Sequence, residues 1–170
     1  MSALSKLSPS ITDMIRFDHS HVMVTFHQYT GTTRPSVKKA LAETICDAVE
    51  IHATLEEEIF YPVTRGLAGD EPVIRNSPAE HEEIKRLIAE LRATDASDFR
   101  HDGLMHELMR DIMHHVADEE TVLLPEAERM LSKDRLNELG AQMTRRRLEL
   151  LSPKAGQVAK NTLVGFSGST

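Results

Sequence analysis

Several residue types are scarce in this chain of 170 residues. Tryptophan is absent, aromatic residues make up 4% of the sequence, and Cys46 is the single cysteine. One cysteine excludes an internal disulfide and a thiolate metal cage, and it favours a reducing compartment. Residues 1–10 also lack the apolar core of a secretory signal, so we expect a cytoplasmic location.

Long apolar runs and an excess of basic residues are also missing. No stretch approaches the length of a membrane span, which predicts that the protein has no membrane partner. The formal net charge is −7 and the only basic run is residues 145–147, which predicts no nucleic-acid partner. The rest of the composition, 40% hydrophobic and 28% charged, is typical of one globular domain with a sizeable core.

Histidine, by contrast, is abundant: the chain has nine, and four belong to a pattern that occurs twice. Each copy consists of a lone histidine followed by a His-x-x-x-Glu motif. The six residues of the pattern are His19, His52, Glu56, His81, His115 and Glu119. The copies are offset by 62 or 63 positions (81 − 19 = 62; 115 − 52 = 63). Two matching sets of histidine and carboxylate suit a pair of metal ions better than one ion.

Hydrophobic periodicity predicts four helices, and each residue of the pattern lies in phase with a core stripe. The predicted helix starts are Ser10, Pro35, Ser77 and Ser97. The third start has the clearest signal, because Pro78 follows the Ser77 cap and Glu80 closes a capping box. Because the six pattern residues share a helix face with core residues, we expect the four histidines among them to be buried and not at the surface.

Short connections between these helices predict antiparallel neighbours. The predicted fold class is all-α: an antiparallel up-down-up-down four-helix bundle over residues 10–130, with each half's proline, Pro62 or Pro125, ending or kinking a helix. An accessory C-terminal helix and an irregular tail from Ser152 are predicted to pack on the bundle over residues 131–170.

The spacing of the His-x-x-x-Glu motif explains why it can bind metal. Positions i and i+4 of a helix lie roughly 6 Å apart along one face. The imidazole can therefore bind one ion while the carboxylate spans to a second, so two facing helices provide two bridging carboxylates. With an oxo, hydroxo or water bridge, each ion would have about five ligands and an open position. Mixed imidazole and carboxylate ligands favour iron first, manganese second and zinc third.

Two other interpretations of the buried polar residues are weaker. A bundle whose buried polar groups only specify the fold would leave Glu56 and Glu119 without cations, and such burial costs several kcal/mol per carboxylate. No lysine or arginine occupies a matching core position in the second or fourth helix. A ferritin-like site would need Glu-x-x-His motifs, and the chain has none.

These motifs resemble those of the hemerythrin-like, or HHE cation-binding, domains. The match rests on Asp18-His19, the run 52–62, Glu80-His81 and the run 115–125, and it covers about residues 10–130. The resemblance implies an antiparallel four-helix bundle with a non-haem di-iron centre. By motif position, the four histidines would be terminal ligands, and Glu56 and Glu119 would bridge the ions.

The chain differs from oxygen-carrying hemerythrins at one informative position. Those proteins have a further histidine one turn after the third-helix histidine, where this chain has Lys85. Their last motif is also longer, His-x-x-x-x-Asp. The four-histidine site would be more symmetric and open at both irons, which disfavours reversible oxygen carriage. The pattern is closer to bacterial hemerythrin-like proteins linked to peroxide or nitric oxide, and to proteins that repair iron–sulfur clusters.

The predicted function is binding of, or reaction with, O2, H2O2 or NO at two iron ions, with manganese as the alternative metal. Enzymatic turnover stays undecided; peroxide dismutation and nitric-oxide reduction are the two candidate reactions. A redox or oxygen sensor, and an iron-centre repair or donation protein, are the open alternatives. We expect a monomer or a homodimer.

Two residues near the pattern, Tyr61 and Asp111, keep two interpretations each. Tyr61 has no counterpart in the second copy and is either a hydrogen-bond donor near the site or a packing residue. Asp111 either holds a ligand histidine or is an ordinary surface carboxylate. Glu57 and Glu120 recur in both copies, and their helical phase places them beside the core stripe, where basic residues could pair with them.

Overall fold

The computed structural model describes residues 9–30, 32, 34–68 and 72–166, and side chains are described except at 66–68, 72–75 and 153–166. All regular structure in these ranges is helical, which confirms the predicted all-α class. The α-helices are α1 (Ile11–Thr30), α2 (Pro35–Leu55), α3 (Tyr61–Ala68), α4 (Pro72–Ala93), α5 (Phe99–Asp118), α6 (Leu124–Met130) and α7 (Lys133–Phe166). Two π-helical turns, π1 (Glu56–Phe60) and π2 (Glu119–Leu123), join α2 to α3 and α5 to α6. None of the described helices is long and apolar enough to cross a bilayer.

The predicted starts of the first two helices are confirmed. Ser10 caps α1, because its Oγ accepts a hydrogen bond from the Asp13 amide at 3.1 Å and donates one to the Asp13 carboxylate at 2.7 Å. Pro35 occupies the first turn of α2. At α5 the cap is Asp98, one residue after the predicted Ser97, and it accepts from the Arg100 amide at 2.9 Å.

Two predicted boundaries are wrong. Helix α4 begins at Pro72, so Ser77 and Pro78 lie inside it rather than at its start. Ser77 is fully buried and hydrogen-bonds the Tyr61 side chain instead of capping a helix. The predicted irregular tail from Ser152 is helical up to Phe166. Docking of that tail onto the bundle stays a prediction, because its side chains lie outside those described.

The prediction that Pro62 and Pro125 end or kink helices is wrong in one respect, because neither proline ends the helical path. The helical path continues past both residues, and each proline lies in the first turn after a π turn. In these turns the amides of Tyr61 and Leu124 bond to the carbonyls five residues earlier, at Glu56 and Glu119. A π turn adds one residue to the helix and is frequent at functional sites. Here each begins at a carboxylate of the doubled motif.

Two hydrophobic clusters lie along the helices, one on each side of the motif residues. The first is built from α1, α2, α4 and α5, with Val22, Val49, Ile84 and Ile112 among its buried residues. The second joins the N-terminal end of α1 to the π turns, α3, α6 and α7. On α1, α2, α4 and α5 the motif histidine lies within four positions of a residue of the first cluster. The six polar residues therefore form a layer between two apolar layers.

Helix α7 packs against α1 and α2. At Gly140 the approach is tight, because a Cβ atom there would lie 2.1 Å from the Pro9 carbonyl oxygen. Leu136, Leu139 and Met143 are buried on the same face, as the predicted accessory helix requires. The backbone contact can form only because residue 140 has no side chain.

We predict opposite effects of alanine at two helical glycines. Gly140→Ala should destabilise the fold by about 1–3 kcal/mol, because the Pro9 backbone cannot move aside without disturbing the start of α1. Gly103→Ala should stabilise it by about 0.5–1 kcal/mol, because a Cβ there meets no atom within 4 Å and glycine is a poor helix residue. Urea denaturation followed by circular dichroism measures both. Equal midpoints for the two variants would contradict the packing of α7 on α1.

Candidate metal centre

The structure brings all six residues of the doubled motif together in one buried layer. His19 comes from α1, His81 from α4, and the two His-x-x-x-Glu motifs from the ends of α2 and α5. The largest exposed fraction among them is 8%, at His52, and both glutamates are fully buried. Their assignment as metal ligands stays a prediction, but their convergence does not depend on it.

Side-chain atoms of the six residues form two groups that could each hold one ion. We call the group of His19, His52, Glu56 and Glu119 the first position, and the group of Glu56, His81 and His115 the second position. Within each group the ligand atoms all lie within 4.8 Å of one another. Glu56 belongs to both groups, as a bridging carboxylate must.

Two of the histidines are held from outside the layer by the glutamates that follow the motif carboxylates. His19 Nδ1 lies 2.9 Å from Glu120 Oε1, and His81 Nδ1 lies 2.9 Å from Glu57 Oε1. An ionised carboxylate can only accept, so Nδ1 is the donor in each pair. The Nε2 lone pair of each ring is then free to point into the centre.

The other two histidines are held by the acidic residues that precede the lone histidines. His115 Nδ1 lies 2.8 Å from Glu80 Oε2, and His52 Nδ1 lies 3.4 Å from Asp18 Oδ2. Glu80 therefore holds a ring of the site and does not close a capping box. All four histidines have a carboxylate on Nδ1, which is the usual way in which proteins orient metal-binding imidazoles.

The sequence identified these carboxylates only as neighbours of the motif. Asp111, the predicted candidate for holding His115, instead accepts from Arg110 at 2.9 Å. Glu57 pairs with a basic residue as expected, Lys85 at 3.0 Å, but it also holds His81. The available signal was the recurrence of an acidic residue beside every lone histidine and every motif glutamate.

Unsatisfied atoms in the layer test whether the residues fit metal ions. Among the described residues, His19 Nε2, His52 Nε2, Glu56 Oε1 and Glu119 Oε2 are buried and have no hydrogen-bond partner. Buried polar atoms without partners are costly and rare, and these four all face the space between the helices. At the second position, His81 Nε2 and His115 Nε2 lie 3.0 Å apart. Two nitrogens about 2.1 Å from one ion, at a right angle, have about that separation. The residues therefore fit two cations.

The pKa values of the site residues show how the layer is neutralised without metal. Burial lowers the pKa of His115, but Glu56 and Glu80 outweigh that effect and raise it to about 10. Burial raises the pKa of the Glu56 carboxyl, but His52 and His115 hold it well below its ordinary value. Protons on the imidazoles of His52 and His115 thus balance the buried charge of Glu56. A coordinating imidazole nitrogen carries no proton, so metal binding here requires proton release.

Tyr61 lies inside the layer, which decides its role in favour of a hydrogen-bond donor. Its Oη donates to Glu119 Oε1 at 2.9 Å and lies 3.2 Å from Glu56 Oε2. The same atom is 3.3 Å from His81 Nε2 and 3.4 Å from His115 Nε2. Burial, with the negative charges of Glu56 and Glu119, raises the pKa of Tyr61, so the phenol keeps its proton at neutral pH.

A cavity of about 20 Å³ adjoins the site. The four histidines and Asp18 line one side, and apolar side chains form the rest, namely Val22, Val49, Ala53, Ile84, Ile112 and Val116. A volume of about 10–15 Å³ is the minimum that holds one water molecule. The cavity therefore admits one molecule of roughly that size, and its walls favour a molecule with little charge.

The histidines outside the doubled motif do not join the centre. His21, His27 and His106 are exposed, and His114 is 76% exposed with its Nδ1 3.9 Å from Asp118. His101 is buried at the other end of the helices, where its Nδ1 lies 2.9 Å from Tyr29 Oη. The prediction that only four of the nine histidines face the centre agrees with these positions.

Comparisons with known proteins agree with the geometry. The family model of the hemerythrin HHE cation-binding domain matches residues 10–127. A Nostoc protein named DNA nickase is 25% identical over 152 residues, which cover 89% of this chain and 43% of that protein, so the chain spans less than half of its length. A crystal structure of a hemerythrin HHE cation-binding-domain protein from Mycobacterium kansasii has a TM-score of 0.75 at 17% identity, covering 89% of this chain and 93% of that one. The structural likeness shows the fold, and the family match confirms the resemblance found in the sequence.

Proposed function

The chain belongs to the hemerythrin HHE cation-binding family, and on that premise we propose that it is a non-haem di-iron protein that binds or reacts with a small oxidant or diatomic molecule. The candidate molecules are O2, H2O2 and NO. Membership of the family supports cation binding. The identity of the metal as iron, the number of ions and the reactant are the proposal's own steps.

The observation that carries the proposal is the apolar cavity beside the four histidines. It has room for one molecule of about the size of water, and it opens directly on the side chains that would hold the metal. An organic substrate does not fit that volume. Apolar walls also disfavour hydrated ions, since an ion there would lose its water without gaining partners.

The donor set supports iron, with manganese as the alternative. His19 and His52 would hold one ion and His81 and His115 the other, with Glu56 shared by both groups and Glu119 in the first. The expected bridging role of Glu119 is part of the proposal. Imidazole and carboxylate ligands suit both metals. When bound, the ions supply the one-electron redox chemistry that none of these side chains can perform.

The side chains have separate roles in this scheme. The four outer carboxylates orient the imidazoles through Nδ1 and keep Nε2 directed into the centre. Tyr61 holds a proton at Oη, within 3.4 Å of the second position's two histidines, and could donate it to a reactant held at the metal centre. Val22, Ile84 and Ile112 exclude bulk water.

We also propose the finer architecture expected from the sequence. Contacts of α1 with α2 and of α4 with α5, together with the short connections, support an antiparallel four-helix bundle over residues 10–130. Residues 131–170 would then form the accessory unit, of which α7 packs on α1 and α2. Cytoplasmic location and a monomeric or homodimeric state remain predictions.

The name of the Nostoc relative raises DNA cleavage as another activity, and the site argues against it in this chain. A ring of carboxylates surrounds the histidines, formed by Asp18, Glu57, Glu80 and Glu120. These negative charges would repel a phosphodiester, and the formal net charge of −7 does not attract DNA. A phosphodiester is also much larger than the cavity.

Anaerobic loading with ferrous iron tests the proposal. We expect two irons per chain after removal of excess metal. The loaded protein should then consume H2O2 or NO faster than the same concentration of free ferrous iron. For peroxide dismutation, two H2O2 yield one O2 and two H2O, so an oxygen electrode follows the reaction directly. A supercoiled plasmid in a parallel sample should stay intact.

The possible outcomes separate the candidate functions. No stoichiometric metal would refute the metal centre itself. Two irons without turnover, but with a change in size or proteolysis pattern between reduced and oxidised protein, would favour the sensor. Two irons that transfer to an apo-protein acceptor, again without turnover, would favour iron donation.

A further inference from the structure

Helix α7 lies beyond the residues that the family model matches, yet one of its side chains contacts a carboxylate that holds a histidine of the candidate centre. Arg147 forms a two-pronged ion pair with Asp18 of α1: Nη1 lies 2.6 Å from Oδ1, and Nη2 lies 2.5 Å from Oδ2. Both side chains are largely buried, with 25% and 12% of their surfaces exposed. Paired guanidinium and carboxylate groups in this geometry fix each other's orientation.

The same carboxylate holds a histidine of the first position. Asp18 Oδ2 lies 3.4 Å from His52 Nδ1, and His52 Nε2 lies 3.2 Å from Glu56 Oε2. A continuous path therefore runs from Arg147 through Asp18 to His52. The hydrogen bond from His52 is the longest of the four that hold histidine rings, so its geometry depends most on how Asp18 is held.

The second position lacks this support. Its corresponding pair is Glu80 with His115, at 2.8 Å, and Glu80 is 30% exposed. Among the side chains that the structure describes, no lysine or arginine contacts Glu80. Glu57, which holds His81, is contacted by Lys85. However, the side chains of Lys85 and Glu57 are each more than one third exposed. Exposed ion pairs are weak and screened by salt. Only the Arg147 pair is a largely buried support.

We propose that Arg147 is a positioning residue for the first metal position and that it makes this position depend on the docking of α7. The inference rests on the proposed metal centre. Without Arg147, Asp18 would be a largely buried carboxylate with only a long hydrogen bond from His52, and turning toward solvent would restore its hydration. The His52 ring would then lose its partner. The second position, held by Glu57 and Glu80, would keep its own.

Metal titration of Arg147→Met tests the inference. Cobalt(II) is titrated into the metal-free full chain in competition with a coloured chelator, which separates two binding steps. We expect one step to weaken roughly 10- to 100-fold, the usual effect of removing a residue that orients a metal-binding histidine, while the other weakens by much less. Arg147→Lys, which keeps the charge but not the two-pronged contact, should lie between the variant and the wild type.

Arg146→Met is the matched control. Arg146 directly precedes Arg147 in α7. It also forms an ion pair with another element, with Glu58 of π1 at 2.6 Å, but that pair does not contact a histidine of the site. If α7 only needs ion pairs to dock, both variants should weaken metal binding equally. Gly140→Ala disturbs docking without removing any charge, so it should weaken the same step as Arg147→Met.

A spectroscopic readout separates positioning from stability. In the cobalt protein, each coordinated histidine gives an exchangeable, paramagnetically shifted Nδ1–H signal in the NMR spectrum. We expect Arg147→Met to lose one such signal to exchange with water while Arg146→Met keeps all four. Four unchanged signals in Arg147→Met, or equal weakening of both steps, would overturn the inference. A wild type that binds no metal would instead refute the proposed function.

Discussion

Replacing both motif glutamates, as Glu56→Ala with Glu119→Ala, is expected to abolish metal binding altogether. Each position would keep only two histidines, since Glu56 belongs to both groups and Glu119 is the other carboxylate of the first. Two neutral nitrogens cannot balance the charge of a divalent ion in a buried layer. Metal analysis after ferrous loading should fall from two irons per chain to none.

The double variant should remain folded, which makes the loss interpretable. Both side chains are fully buried, and without them the site histidines can lose their protons, so no unpaired charge stays in the metal-free layer. Helical circular dichroism should therefore be retained. Added iron should raise the melting temperature of the wild type but not of the variant, because a ligand stabilises only a fold that binds it.

Glu58→Ala with Glu126→Ala provides the matched control for charge. Glu58 follows Glu56 by two positions and pairs with Arg146, and Glu126 pairs with Arg129. Neither glutamate reaches the buried layer, so the control variant that lacks both should still bind two irons. Iron retained by the Glu56 and Glu119 variant at the wild-type level would contradict the assignment of the two glutamates as ligands.

Tyr61→Phe is expected to keep both irons and lose most of the reaction rate. The phenol is a neutral proton donor inside the layer, with Oη 2.9 Å from Glu119 and 3.2 Å from Glu56. Reduction of peroxide or nitric oxide consumes protons, and Oη lies within 3.4 Å of the two histidines of the second position. Removing a positioned proton donor typically costs about 10²- to 10⁴-fold in rate.

Tyr29→Phe is the control, because Tyr29 is the second tyrosine and is equally buried. Its hydroxyl bonds to His101 and Asp102 at the far end of the helices. This variant should lose some stability but keep its rate. Peroxide consumption, with iron content measured on the same samples, checks both. Equal rates for Tyr61→Phe and the wild type would exclude Tyr61 as the proton donor and leave it a packing residue.

The identity of the six motif residues could be read from the sequence because helical phase is a local property. Residues three and four positions apart share a face, so His52 and Glu56 must face the core if Ile45 and Val49 do. The internal repeat then matched the two halves without any knowledge of packing. The all-α class and the starts of α1 and α2 follow from equally local signals, namely Ser10, Pro35 and their neighbours.

Phase arguments fail where the helix itself changes its period, and Tyr61 is the example. In a regular α-helix, five positions place Tyr61 roughly 140° away from Glu56, outside the site. The π turn from Glu56 to Phe60 bonds the Tyr61 amide to the Glu56 carbonyl and brings the two side chains onto one face. Ser77 was misplaced for a related reason: a buried contact with Tyr61, and not a cap, accounts for it.

Sequence alone thus determined the six motif residues of the layer, since each needed only its own helix, but not the seventh, Tyr61. Tertiary structure decided what holds them. Asp18 meets His52, Glu80 meets His115, and Arg147 meets Asp18 across 129 positions of chain. These pairs depend on how separate helices rotate and pack against one another, and a close contact at Gly140 sets where α7 lies. Such relations are properties of the assembled core, so no periodicity within one helix can encode them.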